Sequence, residues 1–223
     1  MTRVSVLQLD TRFCRVPGDV GCAKSYINDP EIIRVPRTSV ANIVTNQPGQ
    51  IDLDPFLKAI AQATGDVVVT SCGFLSPFQE ELQSVTRKPV IASVLNVLND
   101  LNVMKGADRS SVLTFDSDRL VNAHFPNPYC ANDFRVVGLR PNNPLRQRIE
   151  EDVPDCFDAS DLVDSVIADF ALAVMPTTET VILECTNLPP YKPQMRHDSN
   201  VRIIDILSAI ERIAPNTIAP QYL

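Results

Sequence analysis

Two stretches decide the fold of this chain: Asp66-Val-Val-Val-Thr-Ser-Cys72-Gly73-Phe74 and Glu179-Thr-Val-Ile-Leu-Glu-Cys185-Thr186-Asn187. Each is an acid, a short aliphatic run, and a cysteine opening onto small or polar residues. Aligning Cys72 on Cys185 also brings Leu75 onto Leu188. A short continuous apolar run bounded by turn-forming residues reads as a fully buried strand. A strand that ends in a thiol just before a turn or helix puts the sulfur at the carboxyl edge of a parallel sheet, where open α/β sheets hold their ligands. The repetition reads as a duplicated half-site. If the halves face each other, two thiols flank one small molecule.

Outward from these strands, the pattern alternates between strand and helix. In the first half, strands are expected at 4–9, 32–35, 67–70 and 90–93, and helices at 52–63, 77–85 and 94–103. Leu53, Phe56, Leu57 and Ile60 form one stripe of the first helix, and Asp52 is its cap. In the second half, strands are expected at 111–115, 136–139, 180–183 and 201–204, and helices at 118–123, 161–174 and 205–213. Proline clusters at 126–128, 141–144 and 189–193 read as loops. The predicted class is α/β: two pseudo-symmetric lobes, each a parallel sheet with helices on both faces, with the active site in the interlobe cleft. Residues 1–93 plus 205–223 form the first lobe and carry Cys72, and residues 94–204 form the second and carry Cys185.

Composition narrows the function. The chain is 223 residues long with a net charge of −7, so no basic footprint supports a nucleic-acid role. No segment has the run of about 18 apolar residues of a membrane span, and no signal-peptide pattern opens the chain, so a cytoplasmic location is expected. The six cysteines include no C-x-x-C pair and read as free thiols. Cys14, Cys22, Cys130 and Cys156 lack the strand-end setting and receive no role. Neither G-x-G-x-x-G nor a P-loop is present, and His124 and His197 have no partner at metal spacing. The chemistry is left to Cys, Asp, Glu, Thr and Ser.

Three motifs in register, Leu9-Asp10-Thr11-Arg12-Phe13, Thr70-Ser-Cys-Gly73 and Glu184-Cys-Thr-Asn-Leu-Pro-Pro-Tyr191, resemble the aspartate/glutamate racemase family, the cofactor-independent racemases that include hydantoin racemases. The resemblance covers nearly the whole chain. It implies a racemase or epimerase that inverts the α-carbon of an amino acid or related acid with two thiols and no cofactor or metal, working as a homodimer on a small molecule. Removal of an α-proton without a cofactor needs a base on one face, an acid on the other, and dipoles or cations at the carboxylate. By the resemblance, Cys72 and Cys185 are catalytic and Asp10 is the acid serving the Cys72 side. Thr11, Arg12, Gly73, Phe74, Ser117, Thr186 and Asn187 are substrate contacts.

Some positions depart from the family. The best-known glutamate racemases follow the first cysteine with Asn-Thr and the second with Thr-His, where this chain has Gly73-Phe74 and Thr186-Asn187. The change removes polar donors and adds an apolar wall, which points to a less polar or cyclic substrate. Blander readings also stand: a lone strand-end cysteine is most often just buried, Arg12 and Arg15 serve as surface charges or partners of Asp19, and Glu184 is a strand-end acid or tunes Cys185. Within the superfamily, a decarboxylase would keep one cysteine and a maleate-type isomerase two. A ligand-binding protein using the same cleft is the alternative outside enzymes.

Overall fold

A computed structural model describes residues 2–99 and 106–223. Eight strands form two four-stranded sheets: β1 (Val4–Leu9), β2 (Glu31–Val35), β3 (Val67–Thr70) and β4 (Val90–Ile91) in the first, and β5 (Ser110–Thr114), β6 (Arg135–Gly138), β7 (Thr180–Leu183) and β8 (Arg202–Asp205) in the second. All pairings are parallel, and the orders β2-β1-β3-β4 and β6-β5-β7-β8 are the same topology written twice. Val6 lies opposite Ile32 and Val69, as Val112 lies opposite Val136 and Ile182. In each sheet the order reverses beside the first strand, which opens a crevice at the carboxyl ends of β1 and β3 and of β5 and β7. The duplicated α/β reading of the sequence is the observed architecture.

The central strands are buried on both faces, which explains their unbroken aliphatic runs. Side chains alternate along each strand. Leu7, Leu9 and Val68 join a core that continues into the second lobe through Leu113, Ile182 and Leu188. Val4, Val6, Val67 and Val69 face the other way, onto Ile206, Leu207 and Ile210 of the carboxyl-terminal helix, Ile206–Ile213. That helix follows β8 yet packs on the first sheet. Asp205 caps it by accepting the Ser208 N–H at 2.7 Å.

The remaining helices, in chain order, are α1 (Val40–Ile43), α2 (Asp54–Gln62), α3 (Gln79–Ser84), α4 (Pro144–Glu150), α5 (Val163–Ala173) and α6 (Lys192–Asp198), which makes the carboxyl-terminal one α7. Several differ from the sequence reading for identifiable reasons. Two proline clusters read as loops begin helices instead: Pro144 opens α4 behind the Asn143 cap, whose side chain accepts from the Leu145 and Arg146 N–H groups, and Pro193 lies in the first turn of α6. First-turn N–H groups have no intrahelical partner, so proline forfeits nothing there. The helix expected at 118–123 is a set of turns ending in a 3-10 turn, Asn122–His124. Asp116 accepts the Asp118 N–H and pairs with Arg119 and Arg146, and such local side-chain bonds compete with a helix. The expected helix at 77–85 divides into a 3-10 segment, Gly73–Phe78, and α3. The strand expected at 90–93 stops at Ile91, because Ser93 caps the 3-10 turn Val94–Val97. The rest of the helix expected at 94–103 lies partly outside the described residues. Asp52 bonds the Asp54 N–H at 3.1 Å, one position ahead of the helix cap.

One expectation about the cysteines is overturned. Cys14 and Cys156 are joined in a disulfide with Cα atoms 5.0 Å apart, and Cys22, Cys72, Cys130 and Cys185 are free. Sequence spacing gave no hint, because the partners are 142 residues apart and meet only when the loop after β1 crosses to the segment after α4. Among the described residues no helix is long and apolar enough to cross a membrane, and no cluster of three or more His, Cys, Asp or Glu could hold a metal ion.

Candidate active site

Cys72 and Cys185 sit at equivalent strand ends, two residues past β3 and β7, and line one small cavity of about 30 Å³ between the lobes. Each is nearly buried, at 8% and 5% exposure. Leu9, Phe13, Val40, Val44, Phe74, Phe115 and Ile149 make most of the wall apolar. The polar lining comes from Arg15, Ser71, Glu184, Thr186 and Asn187.

The two thiols are held alike. The Thr70 hydroxyl donates to the Ala92 carbonyl at 2.6 Å and fixes the chain leaving β3. The Phe74 N–H, in the 3-10 turn that Cys72 opens, is aimed at the Cys72 sulfur and favours its thiolate. The Asn187 N–H does the same for Cys185. Cys185 Sγ also donates to Asn187 Oδ1 at 3.6 Å. Asn187 Nδ2 in turn donates to Asp19 Oδ2 at 2.5 Å, and Asp19 holds the Arg15 guanidinium at 2.9 Å in a buried ion pair. Arg15 lies over the Phe13 ring at 4.5 Å. The Thr186 hydroxyl donates across the cleft to the Ser71 carbonyl at 2.7 Å, so its proton is already used.

The other residues singled out in the sequence are elsewhere. Asp10 is exposed and faces Arg34 at 3.8 Å. Thr11 is buried, with its hydroxyl on the Leu9 carbonyl at 3.3 Å, and does not line the cavity. The Arg12 side chain is 69% exposed and pairs with Asp152 at 3.1 Å on the outer surface. Ser117 borders a separate surface depression with Asp118 and Asn122. The structure thus brings together Cys72, Gly73, Phe74, Cys185, Thr186 and Asn187, and leaves Asp10, Thr11, Arg12 and Ser117 outside. His124 is buried behind Phe74, with ring centroids 5.0 Å apart, while His197 is exposed.

No protein-family model matches the sequence. Two curated proteins are similar over most of it. Dimethylsulfoniopropionate lyase 5 of Emiliania huxleyi is 26% identical over 238 residues, 93% of this chain and 44% of that protein. The dimethylsulfoniopropionate lyase of Durusdinium sp. clade D is 24% identical over 217 residues, 92% of this chain and 71% of that protein. The chain therefore spans less than half the length of the first relative. Among solved structures, arylmalonate decarboxylase superimposes with a TM-score of 0.56 over 98% of this chain and 96% of its own, at 16% identity. Allantoin racemase from Pseudomonas fluorescens gives 0.60 over 95% and 88%, at 16% identity, and glutamate racemase from Francisella tularensis gives 0.55 over 95% and 78%, at 12% identity. The chain has the aspartate/glutamate racemase fold.

On this racemase scaffold the electrostatics of the cleft are unusual. Burial and the nearby Glu184 carboxylate push Cys72 up to about 12, and the same two causes raise Cys185 well above an ordinary thiol. Burial raises Glu184 itself to about 7, against the opposing bond from the Thr114 hydroxyl at 2.5 Å. Sequence reasoning left Glu184, Arg15 and Asp19 without firm roles. The signals were there, an acid next to a strand-end cysteine and an i,i+4 pair of opposite charges, but neither says that the fold turns these groups inward.

Proposed function

We propose that the chain is a cofactor-independent racemase or epimerase of a small carboxylic acid, with Cys72 and Cys185 as opposed proton carriers. The observation that carries this reading is the pair of thiols at equivalent strand ends lining one apolar cavity. One sulfur, as thiolate, takes the α-proton, and the electron pair moves into the carboxylate as an enediolate. The other, as neutral thiol, gives a proton to the opposite face. The Arg15 guanidinium, whose Nε–H has no partner, is the positive group available to the developing negative charge. Phe74 and Phe115 suit a substrate with an apolar or cyclic portion.

A second reading is β-elimination, supported by the two relatives named as lyases of dimethylsulfoniopropionate. Its first step is the same α-proton abstraction, but the electron pair then expels a group β to the carboxylate and no second proton is delivered. Phe13, Phe74 and Phe115 line the cavity, and aromatic faces attract a sulfonium as they do other cations.

Incubation in heavy water with amino acids, hydantoins, hydroxy acids and dimethylsulfoniopropionate tests both readings. α-Deuterium is followed by mass spectrometry and volatile dimethyl sulfide by gas chromatography. The racemase reading expects deuterium with inversion, and expects Cys72→Ser and Cys185→Ser each to lose inversion by at least about 100-fold, since serine is a far weaker acid. Dimethyl sulfide release without inversion selects elimination. No exchange and no release from any compound would reject both.

A further inference from the structure

Away from the cysteines, the lobes enclose a second and larger space of about 370 Å³. One side is residues 76–80, where the 3-10 segment after Cys72 gives way to α3, and the other is residues 123–127 of the second lobe, with Asn96 and Asn99 completing the wall. The lobes are tied together here. The Ser76 hydroxyl donates to the His124 carbonyl at 2.7 Å, and Asn99 Nδ2 donates to the Asn127 carbonyl at 2.6 Å. The His124 ring stands edge-on to Phe74, which lines the cysteine cavity, so the two spaces are one pair of rings apart.

Two buried polar atoms of this wall have no partner. Asn96 Nδ2 donates to the Ser76 carbonyl at 2.8 Å, but Asn96 Oδ1 accepts nothing. His124 is 1% exposed, with Nδ1 3.1 Å from both the N–H and the carbonyl of Val121, and its Nε2 is unpaired. Each such atom in a folded protein calls for an explanation, and two on one cavity point to a ligand. Burial lowers the His124 pKa and keeps the ring neutral. With its hydrogen on Nδ1, donating to the Val121 carbonyl, the ring offers Nε2 as an acceptor. Glu80 is exposed at the rim and adds a carboxylate. Among the described residues Glu80 has no ion-pair partner, and no Lys or Arg lines the space.

We propose that this space is a second binding site, which takes the ammonium end of a small molecule on Asn96 Oδ1 and His124 Nε2, with Glu80 as the countercharge. An ammonium has three donors and no acceptor, which matches a wall whose unpaired groups accept. A carboxylate ligand would meet Glu80 with no cation to offset it. Binding is non-covalent and independent of the chemistry at Cys72 and Cys185.

Butylamine tests this on the full chain, with butyrate and N-methylpropanamide as its anionic and neutral counterparts, followed through the side-chain amide signals of Asn96 and Asn99 in nuclear magnetic resonance spectra. The expected result is a saturable shift of both amides with butylamine and a weaker response, or none, with the other two. Glu80→Gln changes an exposed side chain and should weaken the amine about tenfold, the usual worth of a charge-assisted hydrogen bond. Asn96→Ala should weaken it too, read at Asn99; if that variant does not fold, Glu80→Gln decides alone. Equal affinity for butyrate or the amide overturns the proposal, because the wall then does not select a donor-rich cation. No saturable shift with any probe overturns it as well, since water would then satisfy the two unpaired atoms. An affinity for butylamine unchanged by the substitutions places the amine elsewhere and has the same consequence.

Discussion

Gly73 shows how one missing methyl group organises the site. A Cβ there would meet Glu184 Oε1 at 2.1 Å and the Glu184 carbonyl oxygen at 2.6 Å, and the backbone oxygen cannot swing away as a side chain can. Gly73→Ala is therefore expected to lower stability by about 1–3 kcal/mol, the usual range for overpacking. The measurement is the urea midpoint at unchanged m-value. Adding Glu184→Ala should restore only part of the loss, because the carbonyl contact remains. An alanine variant as stable as the wild type would show that the two lobes can part at this point without strain. From sequence, Gly73 is legible as a lost polar donor beside Cys72, and Glu184 as an acid beside Cys185. Alternation turns consecutive side chains apart, so Glu184 serves the other lobe's turn, and no local pattern carries that information.

Among elements, the strands were the most legible part of the chain and the loops between lobes the least. The runs 67–70 and 180–183 are buried on both faces and had only one reading, and their bounds match the observed β3 and β7. Helix α4 was hidden because Pro144 reads as a breaker until Asn143 is seen to cap it. The segment beyond α4 joins the first lobe through the Cys14–Cys156 disulfide and through Asp152, whose Oδ1 accepts the Arg12 and Phe13 N–H groups at 2.5 and 2.9 Å. Phe13 and Arg15, on either side of Cys14, both line the cavity, so this clamp holds one wall of the site. Closing a loop of 142 residues stabilises the native state by up to about 5 kcal/mol in the chain-entropy model. Reduction, or Cys14→Ser with Cys156→Ser, should lower the melting temperature by several degrees. Asp152→Asn should lower it less, since it leaves the covalent link intact. A melting temperature indifferent to reductant would mean that the bridge is not formed in solution.

At the scale of the molecule, two carboxylates give stability opposite dependences on pH. Glu31 accepts from the Ser5 hydroxyl and from the Thr64 N–H and hydroxyl, ties the start of β2 to β1 and to the turn before β3, and is held down to about 2 by those bonds against the opposing effect of burial. A group depressed in the folded state stabilises it above its unfolded value of 4.5, and that contribution fades as pH falls from there toward 2. Glu184 has the reverse sign. Burial raises it to about 7, so its contribution is complete below 4.5 and is lost as pH climbs through 7. The raised thiols add a further loss above about 9, where an unfolded cysteine ionises and Cys72 does not. Together these groups place maximum stability near pH 4.5 to 5, on the acid side of neutrality. Urea midpoints at pH 3, 5 and 8 check this in three proteins. Glu31→Gln should reduce the change between pH 5 and 3, the remainder coming from Asp152 and Glu211, which backbone N–H groups also hold low, and Glu184→Gln should reduce the change between pH 5 and 8, each leaving the other limb in place. If Glu184→Gln left the fall toward pH 8 untouched, the carboxylate would already be ionised at pH 5, and the unpaired Oε1 would have to be solvated in the cleft rather than held in it.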